Sequence, residues 1–324
     1  MFRPLLAIVS LLVAASPAAA QLEFKVQRYK VTEGAGPHDV AVSANGVAWY
    51  TAQAMGALGR LDPKTGAVRQ IKLGERSAPH GVVIGPDAAP WITDSGQNAI
   101  IRVDPKTEQV TTFPLPKGTG HANLNTLTFD RNGTVWFTGQ AGIFGRADSK
   151  TGNVRIWDAP KGRGPYGIAT TPAGDVWFSS LAGNYIARVD TATGEPEVVE
   201  SPTPGAGARR VWSDSQNRLW VSLWGSGEVG MYDPAAKQWK KWKLPGGNAR
   251  TYSVYVDETD GVWLTDFGPA NAVVRFDPKT ETFRSFPSDR PNANVRQMLG
   301  RPGEAWAPES GLDRLTVIRY EKTR

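Results

Sequence analysis

The stretch from His80 to Pro116 decides the fold: HGVVIGPDAAPWITDSGQNAIIRVDPKTEQVTTFPLP. It contains four short runs rich in Val, Ile, Thr and aromatic residues, HGVVIG, PWITDS, AIIRVD and VTTFPLP. Such runs predict β-strands, and the DPKTE turn between the last two favours a tight reversal, because Pro fixes φ and Asp bonds its own backbone. Helical periodicity is absent from this stretch, so the unit is predicted to be a small sheet of four strands.

The same unit recurs along the whole chain, and tryptophan marks it. Seven of the 12 tryptophans are spaced 41 to 45 residues apart. These are Trp49, Trp91, Trp136, Trp177, Trp220, Trp263 and Trp306. An aspartate that closes a short apolar run recurs in parallel, at Asp62, Asp104, Asp148, Asp190, Asp233 and Asp277. Repeats of about 43 residues with four strands each are typical of propeller blades, so the sequence predicts an all-β fold, a seven-bladed β-propeller with four-stranded blades.

The two ends of the chain predict how the ring closes. The last repeat supplies only three strand-like runs, NVRQMLG, EAWAPES and RLTVIRY, whereas an extra run, FKVQRYKV, precedes the first repeat. We expect this N-terminal run to be the outer strand of the last blade, because it pairs an edge that is otherwise open. The seven repeat tryptophans are expected to fill the space between blades. Arginines that share one place in the third strands are expected to tie neighbouring blades together: Arg60, Arg102, Arg146, Arg188 and Arg275.

Composition and motifs exclude several classes of function. The chain has 324 residues and no cysteine, which excludes disulfide frameworks, thiolate metal sites and a cysteine nucleophile. It contains no P-loop, G-x-S-x-G or H-E-x-x-H motif, so nucleotide hydrolysis, α/β-hydrolase chemistry and zincin proteolysis are not expected. The 37 basic and 31 acidic residues form no basic run with interleaved aromatics, so nucleic acid is not an expected partner.

The first twenty residues have the pattern of an export signal. A basic residue precedes an apolar run from Leu5 to Ala15, and an A-x-A sequence follows. The apolar run is too short to span a bilayer. We therefore expect residues 1–20 to be a signal peptide and residues 21–324 to form a single propeller domain, periplasmic or secreted, monomeric and without a membrane span.

The repeat resembles that of the virginiamycin B lyase, or streptogramin lyase, family. The resemblance lies in GPHDVAVSANGVAWYTA, APHGVVIGPDAAPWITD, GPYGIATTPAGDVWFSS and the strands IIRVD and LGRLD, and it covers essentially residues 24–320. It implies a seven-bladed propeller and, in the lyases, a magnesium-dependent elimination that opens a cyclic depsipeptide antibiotic at its ester. A histidine is the base there, with a second histidine and an acidic residue close by. Mg²⁺ is accordingly the cofactor that the resemblance implies.

The chain departs from the family at the positions of those histidines. Eleven residues before each repeat tryptophan, or ten in the seventh blade, lies one position per inner strand. These ring positions hold His38, His80, Asn125, Tyr166, Arg209, Tyr252 and Arg296. In the lyases the two histidines begin the inner strands of the sixth and seventh blades, which are the places of Tyr252 and Arg296 here. Because arginine is not a base at neutral pH, the usual pair cannot abstract a proton. The acidic residue after the seventh tryptophan is present as Glu309, offset by one place.

Two other histidines offer a displaced pair. His38 and His80 hold the same place in adjacent blades, and Asp94 follows the tryptophan of the second blade by three residues. A neutral imidazole suits a general base, and a nearby carboxylate orients it or holds a divalent cation. The candidate catalytic residues are therefore His38, His80 and Glu309, and the candidate metal ligands are Asp94 and Glu309. The alternative is a structural role for both histidines within the P-H-G pattern of the repeat.

The other half of the ring favours binding. Cationic and aromatic side chains at a channel mouth, where Arg210 is also expected, suit a carboxylated or ring-bearing small molecule or peptide. The candidate ligand-binding residues are Tyr166, Arg209, Trp224, Tyr252, Arg296 and Asn125. Two functions follow: a carbon–oxygen lyase that opens an ester or lactone, and a non-catalytic ligand- or protein-binding propeller that lost the family's histidines. In a third interpretation these groups only plug the channel and pair with acids.

Overall fold

Seven four-stranded antiparallel sheets form a closed ring in the computed structural model, which describes residues 22–322. The predicted seven-bladed β-propeller is thereby confirmed. The predicted signal peptide, residues 1–20, lies outside the described residues. Helix between residues 22 and 322 is limited to two single turns, Gln53–Met55 and Ser310–Leu312. Within residues 22–322, no helix is both long enough and apolar enough to span a membrane.

Each blade runs from an inner strand at the channel to an outer strand at the rim. Blade 1 comprises β2 (Pro37–Val42), β3 (Ala48–Ala52), β4 (Ala57–Leu61) and β5 (Val68–Lys72), and blade 2 comprises β6 (Pro79–Ile84), β7 (Pro90–Asp94), β8 (Ala99–Val103) and β9 (Val110–Pro114). Blade 3 comprises β10 (Leu124–Phe129), β11 (Val135–Gly139), β12 (Ile143–Ala147) and β13 (Val154–Asp158), and blade 4 comprises β14 (Pro165–Thr170), β15 (Val176–Ser180), β16 (Tyr185–Val189) and β17 (Pro196–Glu200). Blade 5 comprises β18 (Ala208–Ser213), β19 (Leu219–Leu223), β20 (Glu228–Asp233) and β21 (Gln238–Lys243), and blade 6 comprises β22 (Thr251–Val256), β23 (Val262–Asp266), β24 (Ala272–Asp277) and β25 (Thr282–Pro287). Blade 7 comprises β26 (Leu299–Arg301), β27 (Glu304–Glu309), β28 (Arg314–Lys322) and, as its outer strand, β1 (Leu22–Lys30).

The N-terminal strand closes the ring. β1 pairs antiparallel with β28 along its full length, from Leu22 opposite Lys322 to Lys30 opposite Arg314. Blade 7 is therefore built from three C-terminal strands and one N-terminal strand, as the leftover sequence run predicted. Without β1, the long strand β28 would present an unpaired edge to solvent.

The seven repeat tryptophans lie in the second strand of each blade and are buried. Several of their rings contact an aromatic ring of the following blade. The ring centroids are 5.5 Å apart for Trp91 and Phe129, and 5.9 Å apart for Trp220 and Phe276. The indole N–H of most of these tryptophans also donates to an acid near its own hairpin turn, as from Trp136 to Asp130 at 3.0 Å. The tryptophans thus fill the wedge between blades and fix the turn of their own blade.

The third-strand arginines tie neighbouring blades together only in part, and Arg275 does so through the Phe24 ring of blade 7, 5.9 Å from its guanidinium carbon. Arg102, Arg188 and Arg275 each pair with an aspartate of their own blade. Arg146 does reach the next blade, where its guanidinium donates to the Thr191 carbonyl at 2.8 Å. In each of these three blades the arginine pairs with the aspartate in the turn between the first and second strands, which lies within 4 Å of its guanidinium.

Ser and Thr hydroxyls join neighbouring blades instead. A hydroxyl two residues after each of six repeat tryptophans accepts a backbone N–H from its own inner strand, at 2.9 to 3.3 Å. The same hydroxyl donates to an inner-strand carbonyl of the next blade, at 2.5 to 3.1 Å. These side chains are Thr51, Thr93, Thr138, Ser179, Ser222 and Thr265. The N–H that each one receives lies at a register shift in its inner strand, which marks a β-bulge.

Candidate functional site

The bulge determines which side chains reach the channel axis. In a regular strand, consecutive side chains point to opposite faces. The shift in β2 lies between Pro37 and Val40, and the shift in β18 lies between Ala208 and Val211. A bulge re-aims the side chains within it. Consequently both His38 and the next residue, Asp39, take part in one network.

Contacts across the ring show that this network fills the channel. The Tyr252 hydroxyl of blade 6 lies 3.3 Å from His38 Nε2 of blade 1, and 3.2 Å from the Tyr166 hydroxyl of blade 4. The Arg210 guanidinium of blade 5 lies 3.3 Å from both carboxylate oxygens of Asp39 in blade 1. None of these pairs joins neighbouring blades, so the partners meet at the axis.

His38 and Asp39 form an oriented pair. His38 Nδ1 lies 2.7 Å from Asp39 Oδ1, so the ring donates its Nδ1–H to the carboxylate. Nε2 then carries the lone pair, and it faces the Tyr252 hydroxyl and, at 3.3 Å, the Arg296 guanidinium. A carboxylate that holds one imidazole nitrogen leaves the other free to act as a base.

His80 packs directly against His38. Their ring centroids are 4.0 Å apart at an interplanar angle of 49°. His80 Nδ1 donates to the Asn125 carbonyl at 3.1 Å, and its Nε2 lies 3.4 Å from the Asn125 side-chain nitrogen. The structure therefore brings the two histidines together in the channel, where they are only 5% and 6% exposed.

Burial and positive charge set the ionisation of this cluster. Burial lowers the pKa of the His38 imidazole well below its ordinary value, and Arg296 and Arg210 add to the effect. Burial lowers the pKa of His80 as well, followed by the effect of His38. Burial also raises the pKa of Asp39, although the Arg210 guanidinium opposes that shift. Both histidines are therefore neutral at physiological pH.

The two buried tyrosines shift in opposite directions. Burial opposes ionisation of Tyr252, but the guanidiniums of Arg209, Arg210 and Arg296 outweigh it and lower the pKa of this phenol. Burial raises the pKa of Tyr166, and the neighbouring Tyr252 raises it further. Tyr252 is therefore the phenol in the channel that ionises more readily.

Arg209 covers the tyrosines from the mouth side. Its guanidinium carbon lies 3.9 Å from the ring centroid of Tyr252, 4.3 Å from that of Tyr166 and 4.6 Å from that of Trp224. It also donates to the Tyr166 hydroxyl. Arg209 and Trp224 remain half-buried, in contrast to the two tyrosines beneath them, so they form the surface that a ligand would meet.

Two further arginines extend this surface. Arg296 is half-buried, lies 5.4 Å from the Phe267 ring centroid and donates to the Ser310 hydroxyl at 2.8 Å. Arg250 is exposed and lies 5.4 Å from the Trp224 ring centroid. We call these residues the cationic mouth: Arg209, Trp224, Arg250, Phe267 and Arg296.

Asp94 and Glu309 lie in separate networks. The Asp94 carboxylate accepts N–H groups from Ala78 and Gln97, at 3.0 and 2.9 Å, and so organises its loop. Glu309 is buried against the Arg314 guanidinium and accepts the Thr316 hydroxyl at 2.6 Å. Neither acid joins the two histidines, so a catalytic or metal-binding role for them has no support in this arrangement.

The channel cluster does not fit Mg²⁺. Among the described residues, one group of three His, Asp or Glu side chains has its ligand atoms within 4.8 Å of one another, namely His38, Asp39 and His80. Magnesium prefers oxygen ligands, and the single carboxylate of this group already pairs with Arg210. The guanidinium of Arg296 adds positive charge at His38 Nε2. A divalent cation would therefore meet cations and too few oxygens.

Asp39 and Arg210 are the site residues that sequence reasoning misplaced or missed. Asp39 was not identified, and Arg210 was expected at the mouth, whereas it is buried and pairs with Asp39 across the ring. A signal for them does exist. The position that follows the ring residue is Gly, Thr or Ser in four of the blades, and charged only at Asp39 and Arg210.

Comparison with known proteins agrees with the propeller architecture described above. Residues 14–276 match the model of the virginiamycin B lyase family. The virginiamycin B lyase of Staphylococcus aureus is 22% identical, with a TM-score of 0.84 over 92% of this chain and 99% of that one. A catalytically inactive histidine-to-alanine variant of it, solved with quinupristin, gives the same values. YCF48 bound to D1 peptide is 15% identical, with a TM-score of 0.71 over 92% and 97% of the two chains. No curated protein matches the chain significantly in sequence. The chain belongs to the virginiamycin B lyase family.

Proposed function

We propose that the protein binds an anionic, ring-bearing ligand, a small molecule or a peptide side chain, at the cationic mouth. One observation carries this proposal. Arg209, Arg250 and Arg296 lie around one aromatic cluster, and none of them has a carboxylate within 4.0 Å among residues 22–322. Guanidinium groups without a counter-charge attract carboxylates, which they bind in a bidentate geometry.

The aromatic rings supply the second half of the recognition. Trp224 and Phe267 have centroids 5.7 Å apart, and Phe267 stacks with Tyr252 at 5.4 Å. Stacking of a planar ligand on these faces excludes water from the guanidiniums, and their attraction for an anion then strengthens. Because the neighbouring charge is positive, this binding needs no divalent cation.

The test uses 2-naphthoate, with 2-naphthamide as the neutral ligand of matched shape. Calorimetric titration should show that the carboxylate binds more tightly than the amide, and that added salt weakens the binding. Arg296→Gln and Arg250→Gln should each weaken binding of 2-naphthoate by about tenfold.

The matched control is Lys106→Gln, which removes one exposed charge from an outer hairpin turn. It should change the affinity by less than about twofold, because screening weakens distant charges. An equal effect of all three substitutions on the binding of 2-naphthoate would reject the proposal.

A second candidate function is the family's lyase activity. The specific observation in its favour is the Asp39–His38 pair, which directs the neutral Nε2 of His38 at the Tyr252 hydroxyl. Tyr252 occupies a position that the resemblance assigns to a histidine in the lyases. In an ester-opening elimination, the base removes a proton next to a carbonyl and the C–O bond breaks to give an alkene and a carboxylic acid. Here Tyr252, relayed to His38, would take the proton, and the guanidiniums would stabilise the enolate oxygen.

Incubation with a streptogramin B antibiotic, with and without Mg²⁺, tests this candidate by mass spectrometry. A linear product whose formation is abolished in Tyr252→Phe would support it. Persistent intact antibiotic in both conditions would reject this substrate and leave the binding proposal untouched, because that proposal has its own assay.

We also propose export to the periplasm or beyond, on the pattern of residues 1–20. Expression of the full chain should give an extracytoplasmic protein whose N-terminus is Gln21. A cytoplasmic protein that retains Met1 would contradict it.

A further inference from the structure

The opposite end of the channel contains a cavity of about 430 Å³. Val42, Ile84, Phe129 and Thr170 line it, and they are the last residues of four inner strands. The histidine level lies near the start of the same strands, about 13 Å away for four residues of extended chain. The cavity is therefore separate from the cationic mouth.

Its wall is mainly aliphatic and aromatic. Trp212 and Tyr255 form an edge-to-face pair with centroids 5.4 Å apart on one side. Val83 and Leu127 line both this cavity and the narrower space deeper in the channel. A volume of this size, lined by aliphatic and aromatic residues with some polar groups among them, is typical of small-molecule sites. Trp212 is also one of the tryptophans outside the repeat register, so the framework role of the seven does not account for it.

A narrower space deeper in the channel shares Val83, Leu127 and Trp212 with this cavity and forms its neck. Asp39, Arg210 and Gln297 line this neck, which has about 10 Å³ of free volume. Arg210 and Gln297 are 1% and 5% exposed. Arg210 Nε and Gln297 Oε1 are buried, and neither has a hydrogen-bonding partner among the described residues. A buried donor and a buried acceptor without partners are costly, and together they match a group that both donates and accepts.

We propose that this cavity binds a small neutral amphiphile with an aromatic body of one or two rings and a hydroxyl group in the neck. The hydroxyl accepts from Arg210 Nε–H and donates to Gln297 Oε1. A neutral head group suits the neck because the Asp39 carboxylate and the Arg210 guanidinium already balance each other. This site is independent of the function proposed above, since it uses another end of the channel and another ligand charge.

Calorimetric titration with 2-naphthol and with naphthalene tests the site. We expect 2-naphthol to bind about tenfold more tightly than naphthalene, because only its hydroxyl satisfies the neck. Gln297→Leu should remove that preference. Val83→Trp, which fills the cavity from a half-buried position, should weaken binding of both ligands at least about tenfold.

Thr111→Trp is the matched control, because it adds the same ring at an exposed place on the outer strand β9. It should leave both affinities unchanged. Should Val83→Trp fail to fold by circular dichroism, Thr170→Phe at the cavity rim replaces it. Unchanged affinity in the folded filling variant, or a retained preference for 2-naphthol in Gln297→Leu, would overturn the proposal.

Discussion

Acidification should destabilise this propeller through two residues in the channel, His38 and His80. The pKa of each imidazole is lowered in the folded protein, chiefly by burial. An unfolded chain binds protons at these residues near pH 6.5, whereas the folded chain does not. Stability is therefore unaffected well above pH 6.5 and falls as the pH drops through that value, because the unfolded state then holds more protons.

The magnitude follows from the ordinary histidine pKa alone, provided that both folded pKa values lie below the range tested. Between pH 7.0 and pH 5.5, each proton that the folded state does not bind lowers the free energy of unfolding by about 1 kcal/mol, so the two histidines together lower it by about 2 to 3 kcal/mol. The assay is urea unfolding followed by tryptophan fluorescence at both pH values. His38→Gln and His80→Gln should each reduce the loss on acidification by about 1 kcal/mol.

The third histidine provides the control. His121 lies exposed on a loop, so His121→Gln is the matched substitution of an imidazole outside the channel. Comparison of differences between pH values cancels the constant effect of each substitution on stability. If His38→Gln and His80→Gln lose as much stability on acidification as His121→Gln, the two channel imidazoles are not held neutral and the reasoning fails.

Three further perturbations test the framework. Asp39→Asn leaves the buried Arg210 guanidinium without its counter-charge and should cost about 3 kcal/mol in urea unfolding, of which Arg210→Met in the same chain should restore at least half; an additive double variant would contradict this. Trp136→Ala removes a fully buried ring and should cost about 3 to 5 kcal/mol in the same assay, and a loss below about 1 kcal/mol would show that the ring does not support the blade interface. Deletion of residues 22–30 exposes the edge of β28 and should produce dimers or larger species by light scattering, whereas a monomer with an unchanged melting temperature would show that the closure is dispensable.

The ring architecture could be predicted from the sequence because it repeats. The tryptophan spacing reports a unit that occurs seven times, so chance variation in one blade does not hide it. The closure by β1 followed from the count of strands in the last repeat. Local patterns of this kind depend only on strand periodicity and turn chemistry, which are encoded over a few neighbouring residues.

The site was predicted only in part. The register identified which residue of each inner strand lies at the level of His38, and the structure does bring His38 and His80 together. The strand register determines how deep in the channel a residue lies. It does not determine which side chains from opposite sides of the ring contact each other. The Asp39–Arg210 pair spans 171 positions of sequence and depends on closure of the whole ring. Asp94 is similar: its place after a tryptophan suggested a ligand, whereas its carboxylate caps loop amides.

Because of the bulge in the inner strands, the links between blades do not depend on the side chains at the ring positions. At the bulge the backbone N–H bonds to a hydroxyl of the second strand, as Asp39 N–H bonds to Thr51, so the ring side chain contributes nothing to that link. A histidine, tyrosine or arginine can therefore occupy a ring position while the tryptophans and hydroxyls hold the blades unchanged. Substitution of a ring side chain should leave these blade links in place, whereas loss of the Ser222 hydroxyl, which bonds the Tyr252 carbonyl of the next blade, should break one of them. In such a scaffold the ring residues can be substituted one blade at a time while every intermediate sequence still folds.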